Sequence, residues 1–462
     1  MSSDALPIDD ALNTKFKLVR EVIEPGICVG CGACVVGTDV SQAAMHRTAG
    51  GITPVFAEQA KVDPLFWEAC PGKGVDYPEL YRSHYGRLPD DWRGGIVCKL
   101  WTGHAGAPDI RRAGASGGVM TAVLIHLLET GRIDGAVLVR QGHPSPAEAS
   151  FFIARSREEI MACAQSVYIP VSVLDGLRAL LPGERYAMTC LPEQSAALRV
   201  LQTAEHERAR QIAYVLGPYT GTALGSGAIR ALLRINRVPD DDPVASLQWR
   251  AGEWPGYLEI RTVAGRVIRT KKVYYNYLIP FYITQASLQS MDFANEFADL
   301  SVGDAWSPQF EKLGQGFSVV AARTPEICSI VEEMASVGAL VLEPADILDA
   351  AAMHGHMVDF KKRGGYLRNE ARRRLGRGAP DYGLKPVPIG PSRMVVEIII
   401  SSLFAICRSP VARWCLEQIP ESVLGPLFNR LRLSWKAASK PAKRKGLSTL
   451  SMERHRPRWK NS

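Results

Sequence analysis

Apolar and polar residues follow two different periods along the middle of the chain. Residues 120–130 repeat with the helical period and end before Gly131, a residue that commonly terminates helices. Short apolar runs typical of strands lie at 135–140, 186–190, 211–216 and 245–250, and a hairpin is predicted over 257–272. Helical stretches at 195–208 and 225–235 separate these strands. The alternation predicts a mixed α/β (α+β) fold.

The pattern changes after residue 376. Glycine and proline are dense from 376 to 391, which predicts a linker. Residues 394–407 are then strongly apolar, interrupted by Glu397, and end at Arg408. This run is shorter than the roughly 20 residues that a membrane-spanning helix needs. A re-entrant or interfacial helix and a buried helix docked on the main body both remain open.

These shifts divide the 462 residues into three predicted domains, a number that suits this length. Residues 21–90 form a small loop-rich module, and residues 96–376 form the larger α/β core. Residues 392–462 form a helical and basic extension.

The positive charge is concentrated at the end of the chain. Between residues 430 and 460 lie eleven Lys or Arg and one acid, so the rest of the chain is slightly negative although the total is +8. Such a segment favours anionic membrane surfaces, with a solvated tail as the alternative. It carries no recognised nucleic-acid-binding motif, and we expect no nucleic-acid partner.

Four cysteines carry the clearest chemical signal. Cys28, Cys31 and Cys34 are spaced by three residues among glycines, and Cys70 follows just before Pro71. Three thiolates at this spacing, closed by a fourth, are typical of a 4Fe–4S cluster. Zinc is the alternative metal, although its sites usually pair two separate C-x2-C units. Gly30 and Gly32 indicate a turn rather than a packed face.

The ten cysteines and an acidic, polar N-terminal stretch indicate a reducing compartment. We therefore expect a cytoplasmic location, with peripheral contact at the inner face of the cytoplasmic membrane as a further expectation from the basic tail.

Further motifs accompany the cysteines in a fixed order. They are Gly-Ala-Ser-Gly-Gly at 114–118, Ala-Met-Thr-Cys-Leu-Pro at 187–192, Gly-Glu-Trp-Pro-Gly at 252–256 and Ala-Asp-Leu-Ser-Val-Gly-Asp-Ala-Trp at 298–306. In this order the chain resembles the coenzyme F420 hydrogenase/dehydrogenase beta-subunit family, which includes ferredoxin-dependent chlorophyllide reductases. The resemblance covers roughly residues 21–330.

The resemblance implies a small ferredoxin-like iron–sulfur module followed by a flavin-binding domain. It implies FAD, or FMN, beside one 4Fe–4S cluster whose ligands are Cys28, Cys31, Cys34 and Cys70. The residues that the resemblance places at the flavin are Ser116, Gly117, Gly118, Thr121, Ser166, Tyr168 and Asp304. Small residues at a helix start also suit the approach of a phosphate, although an ordinary helix N-cap is the alternative.

The chain departs from the family pattern at three places. Many relatives carry a Cys-x-x-Cys-x-Asp run where this chain has serine at Ser287 and Ser290. A Pro-Cys pair is replaced by Pro192-Glu193, and a Phe-Cys strand end by Tyr219-Thr220. Hydroxyls are poor ligands for cluster irons, so we predict that a second cluster is absent. Glu193 and Asp304 are the candidate catalytic residues.

Two functions follow from these observations. The first is an iron–sulfur flavoprotein oxidoreductase that passes electrons from a ferredoxin-type or deazaflavin carrier, or a partner redox subunit, through the cluster and the flavin to an organic small molecule. The second is a family member with reduced catalysis that acts as an accessory or assembly protein, for example in surface-polysaccharide synthesis at the cytoplasmic membrane.

Overall fold

The computed structural model describes residues 10–48, 50–271 and 275–461. Within them the strands are β1 (Ala43–Thr48), β2 (Gly51–Phe56), β3 (Lys99–Ala105), β4 (Gly135–Gln141), β5 (Ala149–Ala154), β6 (Tyr186–Thr189), β7 (Ile212–Pro218), β8 (Val244–Ala251), β9 (Tyr257–Thr262), β10 (Val267–Lys271), β11 (Leu300–Asp304), β12 (Ser318–Ala322), β13 (Leu340–Pro344), β14 (Leu384–Val387) and β15 (Ser451–Arg454).

The helices alternate with these strands. They are α1 (Asp10–Leu18), α2 (Ala33–Val36), α3 (Leu65–Glu68), α4 (Tyr77–Tyr85), α5 (Pro108–Ala113), α6 (Val119–Glu129), α7 (Arg157–Ala162), α8 (Pro192–Thr203), α9 (Glu207–Arg210), α10 (Gly227–Ile235), α11 (Ile279–Tyr282), α12 (Gln285–Gln289), α13 (Pro308–Leu313), α14 (Pro325–Ser336), α15 (Ile347–Asp359), α16 (Tyr366–Arg374), α17 (Pro391–Cys407), α18 (Pro410–Gln418) and α19 (Glu421–Arg444). Val19–Ile23 and Phe360–Gly365 are π-helical, and Val173–Ala179, Asn276–Leu278 and Arg458–Asn461 are 3₁₀-helical.

An eight-stranded sheet in the order β13-β3-β12-β11-β7-β6-β4-β5 organises the core. Its centre, from β11 through β7 and β6 to β4, is parallel, and the outer pairs are antiparallel. Parallel strands need crossover helices that cover the sheet faces, which explains why these strands read as unbroken apolar runs. The mixed α/β prediction is confirmed.

Three two- or three-stranded sheets surround this core. The hairpin β1–β2 belongs to the N-terminal module, and β8, β9 and β10 form an antiparallel meander. The third sheet joins β14 to β15 from the far end of the chain.

Helix α8 differs from its predicted range. It begins at Pro192, three residues before the predicted start, and ends at Thr203. Glu205 then adopts a left-handed backbone (φ 58°), and the His206 N–H donates to the carbonyl of Leu201 (2.9 Å). A left-handed residue of this kind closes a helix by satisfying its last carbonyls. The predicted continuous helix over 195–208 is therefore two helices.

The stretch 376–391 is more ordered than the predicted linker. It contains β14, in which Leu384 pairs with Arg454 of β15, and the preceding Tyr382 is buried. The pairing partner lies about seventy residues further along the chain, so a local composition pattern does not reveal it.

The basic C-terminus folds back onto the N-terminal module. The Trp459 indole N–H donates to the carbonyl of Asp381 (3.0 Å), and the Lys460 ammonium donates to Asp76 (2.9 Å). The ammonium of Lys73 lies 3.2 Å from the centroid of the Trp459 ring. The alternative of a solvated tail is therefore wrong for these residues.

No single helix among the described residues is both long enough and apolar enough to cross a membrane. Helices α17 and α18 meet that test only as a pair, and they are bent by 74° at their junction.

Candidate functional site

The four motif cysteines line one pocket of the N-terminal module. Cys28 and Cys31 lie in a loop, Cys34 lies in α2, and Cys70 directly follows α3. Gly30 and Gly32 have φ of 71° and 89°, so they allow the loop to turn back on itself between the thiols. The loop, α2 and the segment after α3 thus bring all four of the predicted ligands into one pocket.

Burial raises the pKa of each of these four thiols. A neighbouring thiolate adds to this effect at Cys28, whose pKa rises to about 12, and also at Cys31 and Cys34. At Cys70, the ammonium of Lys73 opposes the effect of burial. Several buried thiolates can therefore coexist here only with a positively charged partner between them.

Backbone amides point at the sulfurs. The Gly30 N–H donates to Sγ of Cys28 (3.4 Å), and the amides of Gly72 and Lys73 point at Cys70. Hydrogen bonds of this kind stabilise thiolate ligands and tune iron–sulfur clusters.

The spacing of the ligands bears on the kind of metal centre. In the described part of the chain, no three His, Cys, Asp or Glu side chains converge closely enough to hold a single metal ion. The four thiols nevertheless share one pocket, and zinc stays the alternative to a cluster as their metal.

A second site surrounds the loop between α5 and α6. Ala113, at the end of α5, lines one cavity of about 400 Å³, and residues 114–116 line a second of about 260 Å³. Ser166 lines the larger cavity and Ser116 lines the smaller one. The end of β8 forms the other part of the wall, because Trp249 faces the larger cavity and Arg250 the smaller.

The loop glycines serve the protein's own packing. A Cβ on Gly117 would lie 2.6 Å from the carbonyl oxygen of Gly103, and one on Gly118 would lie 2.6 Å from that of Ile110. Gly118 also has a φ of 73° at the N-terminus of α6. Both glycines are buried and line neither cavity. Close backbone packing is thus sufficient to explain them.

Ser116 is fixed by Ser318, the first residue of β12. Its hydroxyl lies 2.9 Å from that of Ser318, and the Gly117 N–H donates to the same Ser318 oxygen (3.0 Å). Thr121 is half-buried one turn into α6 and lines neither cavity. Ser116 and Ser166 are thus the predicted flavin residues that border open space.

Arg250 is a central residue that the sequence analysis missed. Its Nη2 donates to the carbonyl of Ala115 (2.5 Å), and its Nη1 lies 3.4 Å from both Asp304 and the hydroxyl of Tyr168. Burial opposes its charge, but Asp304 and Tyr168 raise the pKa of Arg250. One available signal was its place at the end of a predicted strand, two residues before the Gly-Glu-Trp-Pro-Gly motif.

Asp304 and Tyr168 therefore contact Arg250 and line neither cavity themselves. Asp304 ends β11 with a side chain 21% exposed, and it borders neither cavity. The Tyr168 ring contacts Trp249 edge-to-face at 5.5 Å. Both residues orient the guanidinium that lines the smaller cavity, and their predicted contact with a flavin stays a prediction.

The smaller cavity has a cationic wall. Arg111, Arg112 and Arg250 line it together with His104 and one acid, Glu253, so the arginines outnumber the carboxylate three to one. Arg111 is held by two donated hydrogen bonds to the carbonyl of Gly316 (3.1 Å each) and by the Phe317 ring at 4.7 Å. Fixed guanidinium groups of this kind suit a phosphate or carboxylate.

A single segment connects the two sites. Gln165 and Ser166 line the larger cavity, and the same segment continues to Leu174, whose N–H donates to the carbonyl of Cys31 (3.0 Å). A Cβ on Gly32 would lie 3.1 Å from the Ser172 side chain. Ten residues of chain therefore join the thiol pocket to the larger cavity.

The positions that depart from the family pattern meet in the core. The Lys361 ammonium donates to the carbonyl of Ser287 (2.9 Å) and interacts electrostatically with Glu193 and Asp292. The Ser287 hydroxyl accepts from the Ala223 N–H (2.8 Å). Glu193 is buried at the start of α8 and lies near neither cavity wall. A lysine–carboxylate network thus occupies this region.

This network makes stability depend on pH. Burial and the neighbouring Glu296 raise the pKa of Asp292 to about 7. Between the ordinary carboxyl pKa of about 4 and about 7, the folded protein keeps a proton that the unfolded chain has released. The free energy of unfolding should therefore fall as the pH rises through this range.

We expect Asp292→Asn to remove that dependence. Its free energy of unfolding, measured by urea titration from about pH 5 to about pH 7, should have a slope smaller by up to about 1.4 kcal/mol per pH unit. Asp240→Asn, which changes an exposed carboxyl, should keep the wild-type slope. Equal slopes for wild type and Asp292→Asn would contradict the raised pKa.

Comparisons with known proteins agree with this architecture. The N-terminal model of the coenzyme F420 hydrogenase/dehydrogenase beta subunit matches residues 100–178, and the C-terminal model matches residues 183–347. Together they cover more than half of the chain and do not include the four cysteines of the thiol pocket.

A relative and a solved structure extend the comparison. The coenzyme F420-dependent sulfite reductase of Methanocaldococcus jannaschii is 25% identical over 323 residues, which are 66% of this chain and 46% of that protein. The chain thus spans under half the length of that relative. A chain from the xenon-derivatised F420-reducing NiFe hydrogenase complex of Methanosarcina barkeri shares the fold (TM-score 0.50, 18% identity, 63% of this chain and 98% of that chain). The protein belongs to the coenzyme F420 hydrogenase/dehydrogenase beta-subunit family.

Proposed function

We propose that this protein is an iron–sulfur flavoprotein oxidoreductase with one 4Fe–4S cluster and one FAD or FMN. The observation that carries the proposal is the assembly of four cysteine thiols in one pocket of a chain whose family consists of oxidoreductases. When bound, the cluster would supply one-electron transfer and the flavin would supply two-electron chemistry on an organic substrate.

The thiol pocket supports the cluster. Cys28, Cys31, Cys34 and Cys70 would be its ligands, since soft thiolates are the donors that cluster irons prefer. The backbone amides at Gly30 and Gly72 point at two of these sulfurs. Lys73 places a buried cation beside Cys70, which favours electron uptake by a nearby redox group.

The two cavities support the flavin. The larger one has an apolar wall that includes Val167, Leu247 and Trp249, which suits a flat aromatic ring system. The smaller one has a cationic wall, which suits the phosphate of the same cofactor. Ser116 and Arg250 would lie at the junction between ring and phosphate, and Ser166 would face the ring.

The connection through residues 165–174 supports a direct order of electron transfer from the thiol pocket to the larger cavity. A ferredoxin-type or deazaflavin carrier, or a partner redox subunit, would supply the electrons, and an organic small molecule would receive them. The network around Lys361 supports a single cluster, because the second set of ligand positions is taken up by internal hydrogen bonds. This chemistry belongs in the reducing cytoplasm.

Metal and flavin analysis of the full-length protein tests the proposal. After anaerobic purification we expect about four irons, about four sulfides and about one flavin per chain, because four thiolates hold one cubane cluster. About eight irons would contradict the single cluster. A cluster without flavin, or neither group, would contradict the oxidoreductase and favour the accessory or assembly role.

A further inference from the structure

The helix α17 buries a network of ion pairs on its inner face, beside Val396 and Ile400, and exposes apolar side chains on its outer face. On the inner face, Glu397 accepts from Arg368 (2.8 Å) and from Arg393 (2.9 Å), and all three side chains are buried. On the outer face, Ile398 and Ile406 are 65% and 66% exposed. A helix on the surface of a water-soluble domain has the opposite arrangement. The buried ion pairs fix this orientation. Rotating the helix would place its apolar side chains against the buried arginines and leave those arginines without their carboxylate.

The same exposure continues through α18 and α19. Among the described residues, twelve of the twenty-three exposed large apolar side chains fall between residues 394 and 433. The inner sides of α18 and α19 are anchored by Leu416 and Leu424 within a core cluster. The outer side forms a surface that we name the apolar face: Ile398, Leu403, Ile406, Trp414, Leu427 and Leu431.

The charges around the apolar face have one sign. Residues 391–452 contain three acids, Glu397, Glu417 and Glu421. Each is held inward, Glu397 by the arginines above, Glu417 by Arg234 (3.2 Å) and Glu421 by Asn236 (2.9 Å). The exposed charges on these helices are basic, at Arg430, Lys436 and Lys440. The surface therefore complements an anionic partner.

We propose that the apolar face docks onto an anionic lipid bilayer, with α17, α18 and α19 lying in the interface. The 74° bend between α17 and α18 keeps either helix from continuing straight through the lipid. Burial of apolar side chains in the acyl region and attraction of the basic side chains to acidic headgroups are the two forces that hold such helices. The exposed Trp414 indole suits the headgroup level.

A protein partner fits this surface less well. Protein–protein interfaces have roughly the apolar content of the remaining surface, with a polar rim that hydrogen-bonds across the contact. Here large apolar side chains dominate three consecutive helices, and the flanking charges lack any exposed carboxylate. That combination matches an acidic lipid surface.

Vesicle flotation of the full-length protein tests the proposal. The wild type should float with phosphatidylcholine vesicles that contain about 30 mol % phosphatidylserine, and about tenfold less with phosphatidylcholine alone. The double variant Ile398→Glu, Ile406→Glu should lose at least about tenfold in binding to both vesicles, because a charged side chain enters the acyl region. The triple variant Arg430→Gln, Lys436→Gln, Lys440→Gln should lose binding to the anionic vesicles alone.

Matched controls keep the result specific. Leu181→Glu and Val337→Glu change exposed apolar residues of the main body and should float like the wild type. Truncation of the tail would remove β15 and Lys460, which anchor it to the rest of the chain, so point substitutions are the cleaner test. The triple variant changes exposed side chains and leaves the core intact. Its flotation therefore tests the proposal even if the double variant fails to fold. Equal flotation of the triple variant and the wild type on anionic vesicles, or a wild type that dimerises through this face and does not float, would overturn the proposal.

Discussion

Replacing Cys31 by serine should abolish the broad visible absorbance of the purified protein and reduce its iron to below about one atom per chain. Cys31 is buried at the centre of the thiol pocket, and its pKa responds to both Cys70 and Cys28. A serine hydroxyl is a poor ligand for cluster irons. The variant would therefore have three thiolate ligands for a cluster that needs four. The measurement is an anaerobic visible spectrum with iron and sulfide quantitation.

The control for this prediction is Cys415→Ser. Cys415 is an exposed cysteine of α18, outside the thiol pocket. Its spectrum and iron content should equal those of the wild type. An unchanged spectrum for Cys31→Ser would remove the cluster assignment, and a matching loss in Cys415→Ser would show that the assay reports general instability. Flavin content measured on the same samples separates loss of the cluster from loss of the whole site.

Replacing Arg250 by leucine should have the largest effect on the second site. Asp304 would lose its ion pair with Arg250, and the loop carbonyl at Ala115 would lose the hydrogen bond from Arg250. Breaking a buried ion pair costs about 3–5 kcal/mol, and we expect about 3 kcal/mol because Asp304 keeps some contact with water. Flavin affinity should fall at least about tenfold, since the guanidinium lines the smaller cavity. Urea unfolding and flavin quantitation measure the two effects.

Arg250→Lys separates charge from geometry. The lysine keeps the positive charge beside Asp304 but lacks the planar fork with which two guanidinium nitrogens reach Asp304 and the Ala115 carbonyl. We therefore expect most of the stability to return and most of the flavin affinity to stay lost. Arg261→Leu, on the neighbouring strand β9, removes a half-exposed pair with Glu259 and should cost less than about 1 kcal/mol. Wild-type flavin content in both Arg250 variants would show that the smaller cavity does not bind the cofactor.

The region around Lys361 has a consequence for the proposed electron path. A lysine, two carboxylates and a serine converge where the sequence departs from its family pattern. Burial lowers the pKa of Lys361 to about 8, against the opposing effect of Glu193. The Lys361 ammonium is thus held by its carboxylate neighbours and by the Ser287 carbonyl. The buried polar groups of this network find their partners within the protein. Under the proposed function, electrons would use one cluster.

The sequence by itself determined the elements whose signals are local. The apolar runs of β4, β6, β7 and β8 and the hairpin β9–β10 lie where their patterns predict them, because the burial of a strand shows in consecutive residues of the sequence. Helix α6 ends at Glu129 before Gly131 for the same reason. The spacing of Cys28, Cys31 and Cys34 likewise predicted a pocket of thiols, since three of the four cysteines lie within seven consecutive residues.

Only the tertiary structure decided the features that depend on distant residues. Arg250 became a site residue because Asp304 and Ala115, more than fifty positions away, enclose its guanidinium. The stretch 376–391 became ordered because β15 pairs with it. The outward apolar face of α17 arose because Arg368 holds Glu397 inside. A local pattern reports how apolar a helix is, whereas the direction in which it points is set by the partners that the fold brings to it.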